Sequence, residues 1–180
     1  KAQSSAAEHE DRTDEVASLA ESGGRMKPGE DKSYYATAES VSAARSSPHL
    51  EVVRKKGIEV ILMHDRVDEW LVGNLPEFDA KQLASVARGG LDLGDETEKK
   101  EAEEKSKEFS ALTARIKGAL GERVKEVRVT MRLTESPACL VADEHDIGGN
   151  LARILKAAGQ QAPESAPILE INPSHPIVLR

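Results

Sequence analysis

With a single cysteine, Cys139, in 180 residues, the chain can close no internal disulfide, a usage that suits a reducing compartment. No apolar run approaches the ~20 residues that a membrane-spanning helix requires. Positive charge is in deficit: 25 Lys and Arg against 32 Asp and Glu give a net charge of −7. No basic patch stands out from that background, which argues against a nucleic-acid surface. Catalytic signatures are also missing. There is no G-x-x-x-x-G-K-[ST] phosphate loop, no G-x-G-x-x-G after a strand and no serine in a G-x-S-x-G elbow. His9, His49, His64, His145 and His175 lack a second ligand at helical spacing, so a metal site is a poor expectation. The carboxylates Glu101, Glu103 and Glu104 fall on a solvated helix. By its motifs the chain is not an enzyme.

What is present, 38% hydrophobic and 32% charged residues, is the composition of a solvated protein with one large or two small domains. The chain opens on Lys1 rather than methionine and shows no secretory signal, which predicts a piece of a longer protein. Residues 1–24 are poor in large apolar side chains and acidic between Glu8 and Glu15, the composition of a poorly ordered leader. MKPGED at 26–31 reads as a turn built on Pro28 and Gly29. A strand with Tyr34 and Tyr35 is expected over 32–37, then a short helix over 40–45.

The clearest local signal is SSPHLEVVRKKGIEVILMHDRVDEW at 46–70. Ser47 can cap a helix whose first turn takes Pro48, because the amide that proline lacks would be unpaired there. Gly57 suits the left-handed end of that helix, with Arg54, Lys55 and Lys56 beside its carbonyl end. Residues 58–63 are apolar except for Glu59, which predicts a strand covered on both faces. His64 and Asp65 turn the chain into a second helix ending near Leu75, before Pro76. A third strand over 82–88 completes a small sheet flanked by helices, a three-layer α/β subdomain. Gly89, Gly90 and Gly94 mark a flexible boundary, dividing the chain into 25–92 and 93–180.

A long helix over 95–120 begins almost wholly charged, with Glu96/Lys100, Glu101/Lys105 and Glu103/Lys107 at i,i+4 spacing. It ends with Phe109, Leu112, Ile116 and Leu120 on one side, and Gly121 closes it. A strand over 127–133 alternates Val127, Val129, Met131 and Leu133, inward, with Arg128, Thr130 and Arg132, outward. Strands over 137–142 and 166–172, a helix over 143–159 and the start of a strand at 177–179 follow, with Cys139 as a small core residue. The fold class is therefore α/β followed by α+β, joined by a long charged linker helix.

Two features invite a functional reading. Trp70, the only tryptophan, lies about 60° outside the arc of Val67, Leu71 and Leu75, by helical geometry of 3.6 residues per turn. It is either a boundary residue closing the core or a binding residue of the kind enriched at interface hot spots. Ile147, Leu151, Ile154 and Leu155 share one helical stripe, which is either core or contact surface. Gly148 and Gly149, read as interior to that helix, would weaken it by about 1 kcal/mol each and favour the contact reading.

Four segments, RMKPGEDKSYYATAES, AARSSPHLEVVRKKGIEVILMHDRVDEW, LGERVKEVRVTMRLTESPACLV and ILEINPSHPIVLR, closely resemble the ninety-kilodalton heat-shock chaperone family in its bacterial form. The resemblance spans residues 25–180. It implies the distal α/β part of a middle domain (25–92), then a linker helix and the first part of a C-terminal domain (93–180). The whole protein would be a cytoplasmic, dimeric, ATP-driven chaperone. ATP, magnesium and the catalytic glutamate would belong to an N-terminal domain absent here, and the arginine that assists hydrolysis would lie upstream. Dimerisation helices would follow Arg180. The stretch in hand would then hold no cofactor and be a monomer or a weak oligomer. Its partners would be partly folded client proteins, not nucleic acid or membrane.

By the same resemblance Glu69 and Trp70 match a middle-domain client contact, with Gly73 where the family carries asparagine and Asn74 one residue later. Ile147, Leu151, Ile154 and Leu155 occupy the positions of an exposed amphipathic helix rich in methionine, keeping apolar character without methionine's adaptability. The two are expected to form separate apolar patches on opposite sides of the linker, with Asp68 and Glu69 drawing basic segments. The rivals are an architectural module that transmits domain motion without touching a client, and a small-ligand enzyme with a pocket at the carboxyl end of strand 58–63. Exposure of the Ile147 helix separates the architectural reading from client binding.

Overall fold

The computed structural model describes residues 32–78, 81–89, 93–94, 96–143, 146, 149–161 and 165–180. The expected leader, the turn at 26–31 and Ile147 lie outside them. Two small mixed sheets carry the architecture. In the first, β1 (Lys32–Thr37) runs parallel to both β2 (Val60–Met63) and β4 (Lys81–Ser85), and β3 (Glu77–Phe78) closes one edge antiparallel to β4. Parallel neighbours need crossovers. The first runs through α1 (Val41–Arg45), a 3-10 turn at Pro48–Leu50 and α2 (Glu51–Lys56), and the next through α3 (Arg66–Asn74).

The local signals act as their chemistry dictates. Ser40 caps α1 by accepting the Ala43 N–H at 3.1 Å, and Ser47 accepts the His49 N–H at 3.3 Å ahead of the 3-10 turn. Gly57 ends α2 at φ 65°, which a side chain would strain. Strand β2 starts at Val60, two residues after the expected Ile58. It is covered on both faces as expected. Val60 and Leu62 pack with Ala36, Leu50 and Val53 on one side, while Ile61 and Met63 pack with Tyr35 and Leu71 on the other. Strand β3 has no counterpart in the sequence reading, because two residues are too few to show a period.

The second sheet has the order β5-β7-β6, with β5 (Glu126–Val129) parallel and β6 (Ala138–Val141) antiparallel to the central β7 (Ile168–Ile171). The expected single helix over 95–120 is interrupted. α4 (Glu96–Glu108) and α5 (Ser110–Leu120) meet at Phe109, whose φ of −92° and ψ of 6° leave the helical region. Hydrogen bonds bridge the break, since the Phe109 N–H donates to the Lys105 carbonyl and the Thr113 N–H to that of Phe109. Phe109 is buried, whereas α4 and α5 contain no buried residue. Phe109 is thus the one buried residue of the 96–120 run, and α5 adds a half-buried apolar stripe. Leu112, Ile116 and Leu120 of α5 pack on Val124, Val127 and Ile171. Cys139 joins Leu133, Val141 and Ile168 in the core as expected, and burial beside Glu170 pushes its thiol up to about 12.

Three further expectations are corrected. Strand β5 stops at Val129, and the supposedly outward Thr130 and Arg132 are largely covered, because that side packs on the first sheet. α6 (Gly149–Ala157) replaces the helix expected over 143–159, so Gly149 opens the helix instead of weakening its interior. Residues 177–179 form no strand: the Val178 N–H donates to the His175 carbonyl at 2.9 Å in a turn that leaves Ile177 exposed. Among the described residues, no helix is long and apolar enough to cross a membrane.

Candidate functional site

Trp70 sits midway along α3. Asp68 accepts the Asp65 N–H at 2.7 Å in the first turn, and the Asn74 amide donates to the Trp70 carbonyl at 2.7 Å near the last. Between these ends Leu71 and Val72 turn into the core cluster of Tyr35, Ile61 and Met63. Trp70 does not. The residue is 57% exposed, so it does not close the core.

Glu69, its expected companion, is only 7% exposed, and Asp68 is 3% exposed. The supposition that these two carboxylates draw basic segments from the open surface is corrected accordingly. Asp68 is spent on the helix N-terminus, and Glu69 lines a cleft of about 430 Å³. The cleft is bounded by Tyr35 and His49 from the first sheet's layer, Val72 from α3, Leu140 from β6 and Leu151 from α6. The two expected patches are thus not on opposite sides of a linker. α3 and α6 approach one another, and Val72, Gly73, Leu151 and Ala152 line the same cleft.

The described apolar residues of α6 are only partly covered. Leu151, Ile154 and Leu155 are half-buried, and none of them joins a buried cluster among the described residues. Arg153 reaches Glu39, beyond β1, at 3.8 Å. Exposed pairs of that kind contribute little. The helix is therefore neither a central support nor a fully exposed surface, but a partly covered apolar stripe over the cleft.

Burial acts against the charged forms of two cleft residues, His49 and Tyr35. Burial, reinforced by Arg132 and opposed by Glu170, lowers the pKa of His49 to about 4, so its imidazole is neutral at pH 7. Its Nδ1 is buried without a partner among the described residues. Burial also raises the Tyr35 hydroxyl, against the opposing charge of Arg88. A side-chain hydrogen bond with Ser85 opposes that rise at Tyr35, and the absence of catalytic residues remains an expectation.

The sequence reading missed the joint that fixes the cleft's walls. Glu51, the first residue of α2, accepts backbone N–H bonds from Thr134 at 2.6 Å, Glu135 at 2.9 Å and Ser136 at 3.1 Å, and the Ser136 hydroxyl also donates to it. Burial alone would raise this carboxyl, yet the bonds from Ser136, Glu135 and Thr134 bring it below the usual range. Nearby, Arg128 donates to the Gly89 carbonyl at 2.7 Å and to Glu170 at 2.6 Å. Arg132 donates to the carbonyls of Arg88 and Val86. The Gly89 N–H donates to the Ala142 carbonyl at 2.9 Å. Gly89, expected in a flexible boundary, is held in this joint, where a Cβ would displace the end of the Arg128 side chain, Nη2 lying 2.7 Å away. No local signal could have revealed these pairings, whose partners lie 39 to 85 positions apart.

The family model described as Hsp90 protein matches residues 4–180. The chaperone protein HtpG of Aromatoleum aromaticum is 68% identical over 178 residues, which cover 97% of this chain and 28% of the relative. HtpG of Dechloromonas aromatica is 59% identical over 175 residues, with 96% and 28% covered. HtpG of Nitrosospira multiformis is 61% identical over 175 residues, with 96% and 27% covered. The chain spans just over a quarter of the length of the curated relatives it matches.

Proposed function

The chain belongs to the Hsp90 family, and from that premise we propose that it is a client-binding part of an ATP-dependent molecular chaperone. Residues 25–92 would be the distal α/β subdomain of the middle domain, and 93–180 the linker helix with the first part of the C-terminal domain. ATP and magnesium would bind in an N-terminal domain outside this stretch. The whole protein would work as a homodimer in the cytoplasm, and its partners would be partly folded proteins.

The observation that carries the reading is Trp70, 57% exposed on a helix whose neighbouring apolar residues are packed. An exposed indole next to a cleft roofed by half-buried Leu151 offers apolar contact that suits many sequences, because apolar burial is non-directional. Trp70, Leu151, Ile154 and Leu155 would make the contact, with Ile147 extending the stripe. Glu69 would serve from inside the cleft.

Titration of a permanently unfolded protein into the chain, followed by Trp70 fluorescence, should give a saturable change. Light scattering or anisotropy of a labelled client should show binding lost when Trp70→Ala is combined with Leu151→Ala. The melting temperature of that pair should fall only slightly. Collapse of the fold would mean that these residues are core, and unchanged client affinity would remove them from the contact. A second reading, interdomain coupling without client contact, draws support from the Glu51 and Arg128 joint that ties the two sheets. It would be favoured if the double variant bound clients normally.

A further inference from the structure

A second cavity, of about 220 Å³, is lined by Val52 and Lys56 of α2, by Gly89 and Gly94, by Glu98 and Lys99 of α4, and by Arg128 through Arg132 with Glu170. It lies where the first sheet's layer, the charged helix and the second sheet meet. Among the described residues, four cations (Lys56, Lys99, Arg128 and Arg132) and two carboxylates line it, and both carboxylates are engaged. Glu98 is engaged by Lys56 at 2.6 Å. Glu170, 2% exposed, is shared by Arg128 at 2.6 Å and Arg132 at 3.5 Å.

One buried carboxylate therefore serves two guanidinium groups. Among the described residues, Arg128 also donates to the Gly89 carbonyl and Arg132 to those of Val86 and Arg88, dipoles that offset part of the charge Glu170 leaves. A buried charge without a full counter-charge is costly. Arg132 shows that cost directly: its side chain is 11% exposed, and its Nε–H has no hydrogen-bond partner among the described residues. Burial also lowers its pKa from the usual value despite Glu170. At the rim, Lys99 adds a further charge, with Glu96 at a loose 3.7 Å.

We propose that this cavity binds a small tetrahedral oxyanion, either inorganic phosphate or a phosphoryl group carried on a larger molecule. Arg132, Arg128, Lys56 and Lys99 supply the charge. An anion here neutralises the surplus that Glu170 leaves and gives the Arg132 Nε–H an acceptor. Because the lining comes from α2, α4 and β5, the bound anion ties both sheets to the charged helix, and it stiffens the joint that positions the Trp70 cleft. This inference stands independently of client binding.

The test is a phosphate titration of the chain at constant ionic strength, with chloride as the exchanged ion. It is followed by thermal melting and by the NMR resonance of the Arg132 side-chain Nε–H. A saturable rise in melting temperature with a matching shift of that resonance is expected, weakened several-fold by Lys99→Gln at the rim. A parallel titration with glycerol phosphate separates the sources. Weaker binding than phosphate assigns the site to the free ion, and tighter binding assigns it to a carried phosphoryl group. A response no larger than that to chloride, an unmoved Arg132 resonance, or full affinity in Lys99→Gln would overturn the proposal.

Discussion

Replacing Glu51 with alanine removes the one carboxylate that three consecutive backbone N–H groups and the Ser136 hydroxyl converge on. Hydrogen bonds to a charged acceptor contribute up to about 2 kcal/mol each when buried. This group is part-exposed, and water can replace several of its donors. The expected loss is therefore about 2–3 kcal/mol in total, well short of additive. For a chain of this size each kcal/mol moves the melting point by about 2–4 °C, so Glu51→Ala should melt roughly 4–12 °C lower. Glu51→Gln keeps one acceptor oxygen and the side-chain shape, and should lose about half as much. Thermal denaturation by circular dichroism measures both. Hydrogen exchange at residues 134–136 locates the effect, because those amides should lose protection before the rest of the second sheet. Acid should act in the same direction. The folded pKa of Glu51 lies below its unfolded value of 4.5, so its contribution is present above pH 4.5 and is lost as the pH falls through the folded value. A Glu51→Ala variant melting within about 1 °C of the parent, with unchanged exchange at 134–136, would refute the reasoning, since such small shifts are typical of surface substitutions without partners.

His49 should produce a separate acid loss at higher pH. Its pKa falls from 6.5 to about 4 on folding, so its contribution is complete above pH 6.5 and declines between pH 6.5 and 4. The full decline is on the order of 3 kcal/mol. Urea unfolding across that range should show the slope in the parent, and His49→Gln should flatten it. Phe109→Ala should cost about 3 kcal/mol by removing the buried ring at the junction of α4 and α5, at the low end for phenylalanine because its neighbours on both helices are only partly covered. In that variant the far-ultraviolet helical signal should fall disproportionately, since α4 contributes no buried residue of its own. Equal loss across all signals would show that α4 does not depend on the ring.

The sequence reads well wherever the decisive interaction is local. Ser40, Ser47, Gly57 and Pro76 act on neighbours within a few residues, so the starts and stops around β1, α1, α2 and α3 were legible. The twofold period of Val127 and Val129 also held. The same period misled at Arg128, Thr130 and Arg132, because polarity was equated with water. Those residues face the first sheet, and whether a guanidinium is wet or buried depends on Glu170, 42 positions away from Arg128. The candidate site divided along the same line. Exposure of Trp70 follows from its angle on α3, whereas burial of Glu69 depends on the cleft assembled by β6 and α6. Bringing α3 and α6 together required the Glu51 joint, which no pattern in either segment announces.

The order of strands in the second sheet has a consequence for how the chain acquires its shape. β7 is its middle strand and the last of the three to be made, so β5 and β6 have no ladder partner until Ile171 exists. During synthesis, Val127, Cys139 and Val141 wait on unpaired strands, and Glu170 has yet to arrive for Arg128 and Arg132. The first sheet, complete at Ser85, can close much earlier. A polypeptide halted before residue 168 would carry one finished sheet and two open strand edges, the kind of edge that recruits other chains. Part of a protein proposed to hold unfinished chains is, for that interval, one of them.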